Sequence, residues 1–248
     1  MAKIALLSDV HANIEALEAC VVHARKKDAT AFAFLGDHVG YGPDPGAVLD
    51  RLMTFADAGA PVLLGNHDEA ALLGAPPGMS EMARLAIAWT QPRLSEQHRD
   101  FLKRLPLVYR LDDTLLVHAS AARPHAWTYL SHEDSAGASL AATDATQTFV
   151  GHVHHQMLFY QGSDGRTHAF RPSPGVAIPL SERRRWVATV GSVGQPRDHN
   201  TAAAYALFDT HLRTLTFWRV AYDWGRTIFK IYNSGLPPAL AHRLSEGR

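Results

Sequence analysis

Short polar clusters interrupt the chain at regular intervals: Asp9-Val10-His11, Gly36-Asp37-His38, Gly65-Asn66-His67-Asp68, His118 and Gly151-His152-Val153-His154. Carboxylate, carboxamide and imidazole groups are ligands for divalent cations, and imidazole also moves protons near neutral pH. Cys20 is the single cysteine. That rules out a thiolate metal site and an internal disulfide, so any transition-metal site must use imidazole and carboxylate. The fifteen histidines are the one compositional excess. Along an extended segment, residues i and i+2 point to the same side. Asp9 can therefore share an ion with His11, and His152 with His154, while His155 points away. Gly36, Gly65 and Gly151 each precede a candidate ligand, where glycine permits sharp turns and close approach of backbone to an ion or phosphate. Each cluster alone has an ordinary reading: a turn for Gly-Asn-His-Asp, a helix cap for Asp37, a loop histidine for His-x-His. Five in succession, each at a strand end, favour a shared site.

The elements that position these residues alternate. Lys3–Ser8 is a near-continuous apolar run, as expected of a strand buried on both faces. Residues 13–26 carry Ile14, Leu17 and Val21 at helical spacing. A second apolar strand, Ala31–Leu35, precedes Gly36. Asp44-Pro45 offers an N-cap and an N1 proline for a helix reaching Ala58. Pro61–Leu64 reads as a third strand. This β-α-β-α-β order predicts a largely parallel, helix-covered sheet. Helices follow at Met82–Trp89, capped by Ser80, and at Ser95–Leu105. Strands are then expected at Leu107–Leu111, Thr114–Val117, Thr148–Val150, Trp186–Val190, Ala203–Phe208 and Leu215–Val220, with a helix near Ser131–Ala142. Residues 161–185 read as an exposed polar loop whose Arg183-Arg184-Arg185 run is a solvated face. In open parallel sheets ligands bind beyond the carboxyl ends of strands, which would bring all five clusters together.

With 248 residues, 46% of them hydrophobic, the chain can bury a substantial core, and residues 1–248 read as one domain. The 24 basic and 24 acidic side chains balance, which gives no electrostatic support for nucleic-acid or membrane binding. No twenty-residue apolar run exists. The N-terminal segment reads as a first strand rather than a signal peptide, and a cytoplasmic location is expected. Cys20, among helical apolar residues, reads as a buried structural thiol.

The set Asp-x-His, Gly-Asp-x-x-Gly, Gly-Asn-His-Asp, His and Gly-His-x-His, running from Asp9 to His154, resembles the calcineurin-like metallophosphoesterase superfamily. Gly-Tyr-Gly-Pro at 40–43 and Gly-Ser-Val-Gly-Gln-Pro-Arg at 191–197 are similar to its small bacterial and archaeal phosphodiesterase-like branch. The resemblance implies an α/β fold: a four-layer α/β/β/α sandwich of two mixed sheets with a dinuclear metal site at the strand C-terminal ends. Carried across, Asp9, His11 and His154 would hold one ion, Asn66, His118 and His152 the other, with Asp37 bridging. Two divalent ions are implied, Mn²⁺ first, with Fe, Zn, Ni or Co as alternatives. The expected reaction is phosphodiester hydrolysis of a small phosphate-ester substrate by a metal-bridging hydroxide, with His67 as general acid. Asp68 is expected to cap the following helix or orient a neighbour.

In phosphoprotein phosphatases the second motif continues with an aspartate and an arginine, where this chain has Gly40 and Tyr41. That departure argues against a protein phosphatase and against closely related dinucleoside tetraphosphatases. Arg123 and Arg197 are the candidate substrate-phosphate contacts. Alternatives are a phosphomonoesterase on the same site, including a protein phosphatase or a nucleotidase, and a non-catalytic binding scaffold of the same fold. His38, His125, His155 and His199 receive no role, and the oligomeric state is left open.

Overall fold

The computed structural model describes residues 2–248. In chain order the elements are β1 (Lys3–Leu7), α1 (Ile14–Lys26), β2 (Ala31–Phe34), α2 (Pro45–Asp57), α3 (Asn66–Leu73), α4 (Glu81–Thr90), α5 (Glu96–Lys103), β3 (Val108–Leu111) and β4 (Thr114–Val117). There follow α6 (Glu133–Ala141), β5 (Gln147–Val150), β6 (Gln156–Gln161), β7 (Thr167–Phe170), β8 (Ala177–Pro179), β9 (Trp186–Val190), β10 (Ala203–Asp209), β11 (Thr214–Val220), α7 (Trp224–Ser234) and α8 (Ala239–Glu246).

Two mixed sheets form, in the orders β2-β1-β10-β11-β8 and β3-β4-β5-β9-β6-β7. Strand periodicity explains how they stack. In β1, Ala5 and Leu7 face the helices α1 and α2, where they meet Leu17, Val21, Leu49 and Leu52. Ile4 and Leu6 face the second sheet and meet Phe149, Leu158, Ala206 and Phe208. A strand covered on both faces must be apolar where it is covered, and this one is from Ile4 to Leu7, with only the half-buried Lys3 at its start charged. The far side of the second sheet packs Val150, Phe159 and Val187 against Ala136 and Leu140 of α6. The result is an α/β/β/α sandwich.

Strand direction sets the position of the site. β1 and β2 are parallel in the first sheet, and β4, β5 and β9 are parallel in the second. Their carboxyl ends open on one rim, so the segments that leave them converge there.

Three sequence expectations need correction. The first sheet is not largely parallel, because β1 pairs antiparallel with β10. Pro61–Leu64 contributes only one bridge, Phe34 to Val62. Pro61 has no N–H to donate, and the Leu64 N–H turns to the Pro106 carbonyl 2.9 Å away, so the ladder stops. Residues 161–185 are not one polar loop: β7 and β8 lie within them, and β7 pairs with β6. Within the arginine run, Arg184 lies 5.0 Å over the Tyr160 ring, and Arg185 hydrogen-bonds the Leu140 and Thr143 carbonyls at the end of α6. Two C-terminal helices, α7 and α8, were not anticipated. They pack Ile231, Leu240 and Leu244 against Tyr41 and Ala86.

Candidate metal centre

Asp9, His11, Asp37, His152 and His154 all have positive φ, between 48° and 64°. The segments carrying them have left the extended conformation, so the i, i+2 parity that grouped them in sequence is not what aims them. Single left-handed residues aim them instead. Such conformations strain non-glycine residues and persist where surrounding bonds enforce them. Here the loops are stitched to one another. Asp9 N–H donates to the Gly36 carbonyl and His11 N–H to that of Asp37, both at 3.0 Å. Gly151 N–H donates to the His118 carbonyl at 2.9 Å, and Gly194 N–H to that of Asp9 at 2.9 Å. Gly151 must lack a side chain, because a Cβ there would come within 2.5 Å of Asp9 Oδ2.

The imidazoles are oriented by backbone carbonyls. His11 donates Nδ1–H to Val39 O (3.2 Å), His118 to Leu35 O (2.7 Å) and His154 to Gln195 O (2.6 Å). His152 is turned the other way and donates Nε2–H to Trp127 O at 2.8 Å. Such bonds orient the rings and turn Nε2 of the first three and Nδ1 of His152 inward, as lone pairs in His11, His154 and His152 and as an N–H facing Asp37 in His118. Those atoms converge. His11 Nε2 and His154 Nε2 are 3.2 Å apart, and Asp9 Oδ1 is 3.1 Å from His154 Nε2. On the other side, His118 Nε2 is 3.3 Å from Asn66 Oδ1 and 3.5 Å from Asp37 Oδ2.

Acceptors facing acceptors repel unless a cation or proton lies between them. Asp9 Oδ1 is buried without a hydrogen-bond donor. Ligand atoms bound at about 2.1 Å lie roughly 3.0–3.4 Å apart for bond angles from right to tetrahedral, which matches these spacings. The donor set therefore fits divalent cations. Two groupings of three chelating residues are Asp9, His11, His154 and Asp37, His118, His152; a third joins His67 to His11 and Asp37. All seven sequence-predicted ligands are thus brought to one rim.

Charge and burial act against each other in this cluster. Burial disfavours the carboxylate form of Asp9 and Asp37, but neighbouring imidazoles outweigh it and hold both below the ordinary range. Burial keeps His11 and His154 neutral, and pushes His152 down to about 3. His118 is the exception: burial opposes its charge, yet Asp37 beside it raises it to about 9. One half of the cluster is ready for a cation at pH 7, and the other holds a proton that a cation must displace.

His67 sits at the second residue of α3, and its backbone N–H donates to Asp37 Oδ1 at 2.8 Å. The amino end of α3, with its unpaired N–H groups, thus points at the central carboxylate. Burial pushes the His67 ring down to about 4, against the pull of Asp37. Asp68 does both things expected of it: Oδ2 accepts from Gly65 N–H (3.0 Å), and Oδ1 accepts from His38 N–H (2.8 Å) and Val39 N–H (3.2 Å).

Among the unassigned histidines, His38 is fully buried and its Nε2 donates to Leu63 O at 2.8 Å, away from the rim. His155 donates to Arg197 O at 2.6 Å. His125 and His199 are exposed. The two candidate arginines separate. Arg197 donates to Gln195 Oε1 (3.0 Å), lies 5.7 Å over the Tyr41 ring, and its charge is felt at His67 and His154. Arg123 is exposed ahead of a short 3-10 turn and makes no hydrogen bond or ion pair to the cluster among the described residues.

Sequence reasoning missed the aromatic wall. Tyr41 has its ring 4.5 Å from that of His67 and 4.8 Å from that of His11, and Tyr129 stacks on His152 at 4.0 Å. Tyr41 was noted as part of the Gly-Tyr-Gly-Pro motif and as the residue standing in place of an arginine, not as a ring against His67. Tyr129 and the orienting carbonyls of Trp127 and Gln195 carry no spacing signal.

Residues 2–213 match the family model described as the calcineurin-like phosphoesterase superfamily domain. An uncharacterized protein of Methanocaldococcus jannaschii is 30% identical over 250 residues, covering 99% of this chain and 98% of that one. The crystal structure of a metallophosphoesterase from Sphaerobacter thermophilus is 33% identical, with a TM-score of 0.88 over 100% of this chain and 99% of that chain. A hypothetical protein from Pyrococcus horikoshii OT3 shares the fold at 19% identity, with a TM-score of 0.79 over 100% and 99% of the two chains.

Proposed function

The chain belongs to the calcineurin-like phosphoesterase superfamily, and on that premise we propose that it hydrolyses phosphodiester bonds in a small phosphate-ester substrate. The observation that carries this reading is the convergence of unprotonated acceptors, His11 Nε2, His154 Nε2 and Asp9 Oδ1, beside Asp37, Asn66, His118 and His152. In the proposal Asp9, His11 and His154 hold one divalent ion, Asn66, His118 and His152 the other, and Asp37 touches both; Mn²⁺ is the first choice. Bound there, the ions supply positive charge to the phosphoryl oxygens and make hydroxide available near neutral pH.

The chain's own residues do the rest. His67 protonates the leaving oxygen. Its ring is neutral at pH 7, because burial holds it at about 4. An anionic phosphoryl group placed against it favours the charged form and supplies the missing counter-charge. A diester needs this acid, since an alkoxide leaves poorly unless protonated, and a positioned acid contributes about 10²–10⁴-fold. Arg197 is assigned the contact to a non-reacting phosphoryl oxygen, in preference to Arg123, because it packs on Tyr41 next to His67. Tyr129 shields His152 from solvent on one face.

The test is a metal-by-substrate screen. Metal-stripped protein is reloaded with Mn²⁺, Co²⁺, Ni²⁺ or Zn²⁺ and assayed on bis-p-nitrophenyl phosphate, p-nitrophenyl phosphate and cyclic nucleotides. Diester turnover restored by Mn²⁺ and exceeding monoester turnover supports the reading. Faster monoester turnover would make the protein a phosphomonoesterase. Metal-loaded protein inert on every ester would make it a binding scaffold.

A further inference from the structure

The C-terminal helix α8 lies beyond the residues 2–213 that match the family domain, yet it reaches the rim of the metal centre. Its Arg243 guanidinium lies 6.0 Å from the centroid of the Tyr41 ring, over which Arg197 also sits, at 5.7 Å. That ring is in turn 4.5 Å from the ring of His67. A groove of about 440 Å³ opens here, lined by Arg197, Ala239, His242, Arg243, Glu246 and Arg248.

Its charge is one-sided. Glu246 is the only side-chain carboxylate in the lining, and it pairs with Arg248 at 3.3 Å. Among the described residues, neither Arg197 nor Arg243 has a carboxylate within ion-pairing distance; Arg197 finds only the amide oxygen of Gln195. Two guanidinium groups gathered on one aromatic ring repel each other, a cost that an anion between them relieves. An arginine in the last turn of a helix also complements the helix dipole. That role needs no aromatic partner and does not explain why the guanidinium leans over Tyr41.

The groove is also held in place. Gly247, just past α8, accepts a hydrogen bond from His199 N–H at 2.8 Å, which ties the end of the helix to the loop carrying Arg197. A backbone tie of this kind keeps the two guanidinium groups in register, as preorganised anion recognition requires.

We propose that Arg243, with His242 and Arg248, forms a second anion subsite next to Arg197, which stays on the reacting phosphoryl group, and that this subsite binds a phosphate other than the one being hydrolysed. The substrates favoured are then phosphodiesters that carry an additional phosphate group. This rests on the phosphodiesterase reading above and deepens it, with Arg243 as a specificity-determining residue and not a catalytic one.

The experiment compares two esters with the same reacting bond on Mn²⁺-loaded protein: the p-nitrophenyl ester of thymidine 5′-phosphate, and the same ester with a 3′-phosphate added. The wild-type KM is expected to be at least tenfold lower for the 3′-phosphorylated ester. Arg243→Gln should shrink that preference to within twofold, leaving kcat and the KM of the simple ester unchanged. Arg243→Lys keeps the stem and charge but loses the forked donor pair, so an intermediate preference of about threefold is expected. It carries the test should the glutamine variant unfold in calorimetry. Equal KM values in the wild type, or variants that weaken both esters alike, overturn the subsite. If neither ester is hydrolysed, it is the phosphodiesterase reading that fails, and binding alone then judges the subsite. Thymidine 3′,5′-bisphosphate binding tenfold more tightly than the 5′-monophosphate in wild type but not in Arg243→Gln supports it, and equal affinities overturn it.

Discussion

His11 and His154 present their Nε2 lone pairs to each other across 3.2 Å, each held in that tautomer by an Nδ1–H bond to a backbone carbonyl. Two such atoms beside a buried carboxylate oxygen are a cation site by chemistry. Replacing His154 by alanine should therefore remove one ion per chain and leave the other, held by Asn66, His118 and His152 with Asp37. Metal analysis after gel filtration in Mn²⁺ reads the stoichiometry directly. Two ions retained in His154→Ala would contradict the assignment.

The metal-free protein should lose stability on both sides of about pH 6.5. Burial lowers His67 to about 4 and His152 to about 3. The unfolded chain takes up those protons below 6.5 while the folded chain resists, so stability declines as pH falls through that window. Asp9 and Asp37, held low by the imidazoles against burial, extend the loss below pH 3.8. His118 works in the other direction. Its stabilisation, from Asp37 overriding burial, is complete below 6.5 and disappears as pH rises through about 9. Thermal unfolding midpoints from pH 4 to 9.5 should show this maximum, and His118→Gln should flatten the alkaline decline while also reducing the acid loss, because His118 is the main group holding Asp37 low.

His67→Ala should lower turnover by about 10²–10⁴-fold for diesters with alkoxide leaving groups. The loss should be far smaller for p-nitrophenolate, which leaves without a proton. Metal content should not change, because the lost ring is not among the seven proposed ligands. Equal losses for good and poor leaving groups would point to a positioning role and not an acid.

The ligand clusters were legible in the sequence because four of the five follow apolar runs that form strands, and strand ends in α/β folds share a rim; the fifth follows Pro61–Leu64, which makes only one bridge beside β2. The reason first given for His152 and His154 was incorrect in detail: both lie in left-handed turns, where alternation no longer applies. β6 was missed because Gln156–Gln161 follows the histidine cluster with no turn residue between them. α7 and α8 were missed although Trp224, Ile228 and Ile231, and then Leu240, Ala241 and Leu244, recur at helical spacing; both bury against Tyr41. Backbone carbonyls that orient imidazoles, such as those of Gln195 and Trp127, leave no trace in residue type.

His155 tests the division of the histidine cluster. Its ring bonds to the Arg197 carbonyl at 2.6 Å and takes no part in the converging acceptors. His155→Ala should keep both ions but loosen the loop bearing Arg197. The expected signature is a KM raised about threefold to tenfold with kcat nearly intact, the cost of a lost hydrogen bond of roughly 0.5–1.5 kcal/mol. One ion lost in metal analysis would return His155 to the ligand set.

Gly40 decides how His67 can be supported. Its φ is +82°, and a Cβ built there would collide with His67 Nδ1. The His67 ring itself therefore occupies the space that a side chain at position 40 would take. Gly40→Ala should strain the turn by ~1–3 kcal/mol and lower the unfolding midpoint by roughly 2–12 °C. It should also push the His67 ring out of line, so that turnover of alkoxide diesters falls more than that of p-nitrophenyl esters while both ions remain. Gly40→Asp should behave no better, because the carboxylate cannot reach Nδ1 without first displacing the ring. Rescue by aspartate, measured as alkoxide-diester turnover above that of the alanine variant, would show that His67 lacks a partner only for want of a side chain. The acid would then be tuned by charge and not by the packing of Gly40 and Tyr41.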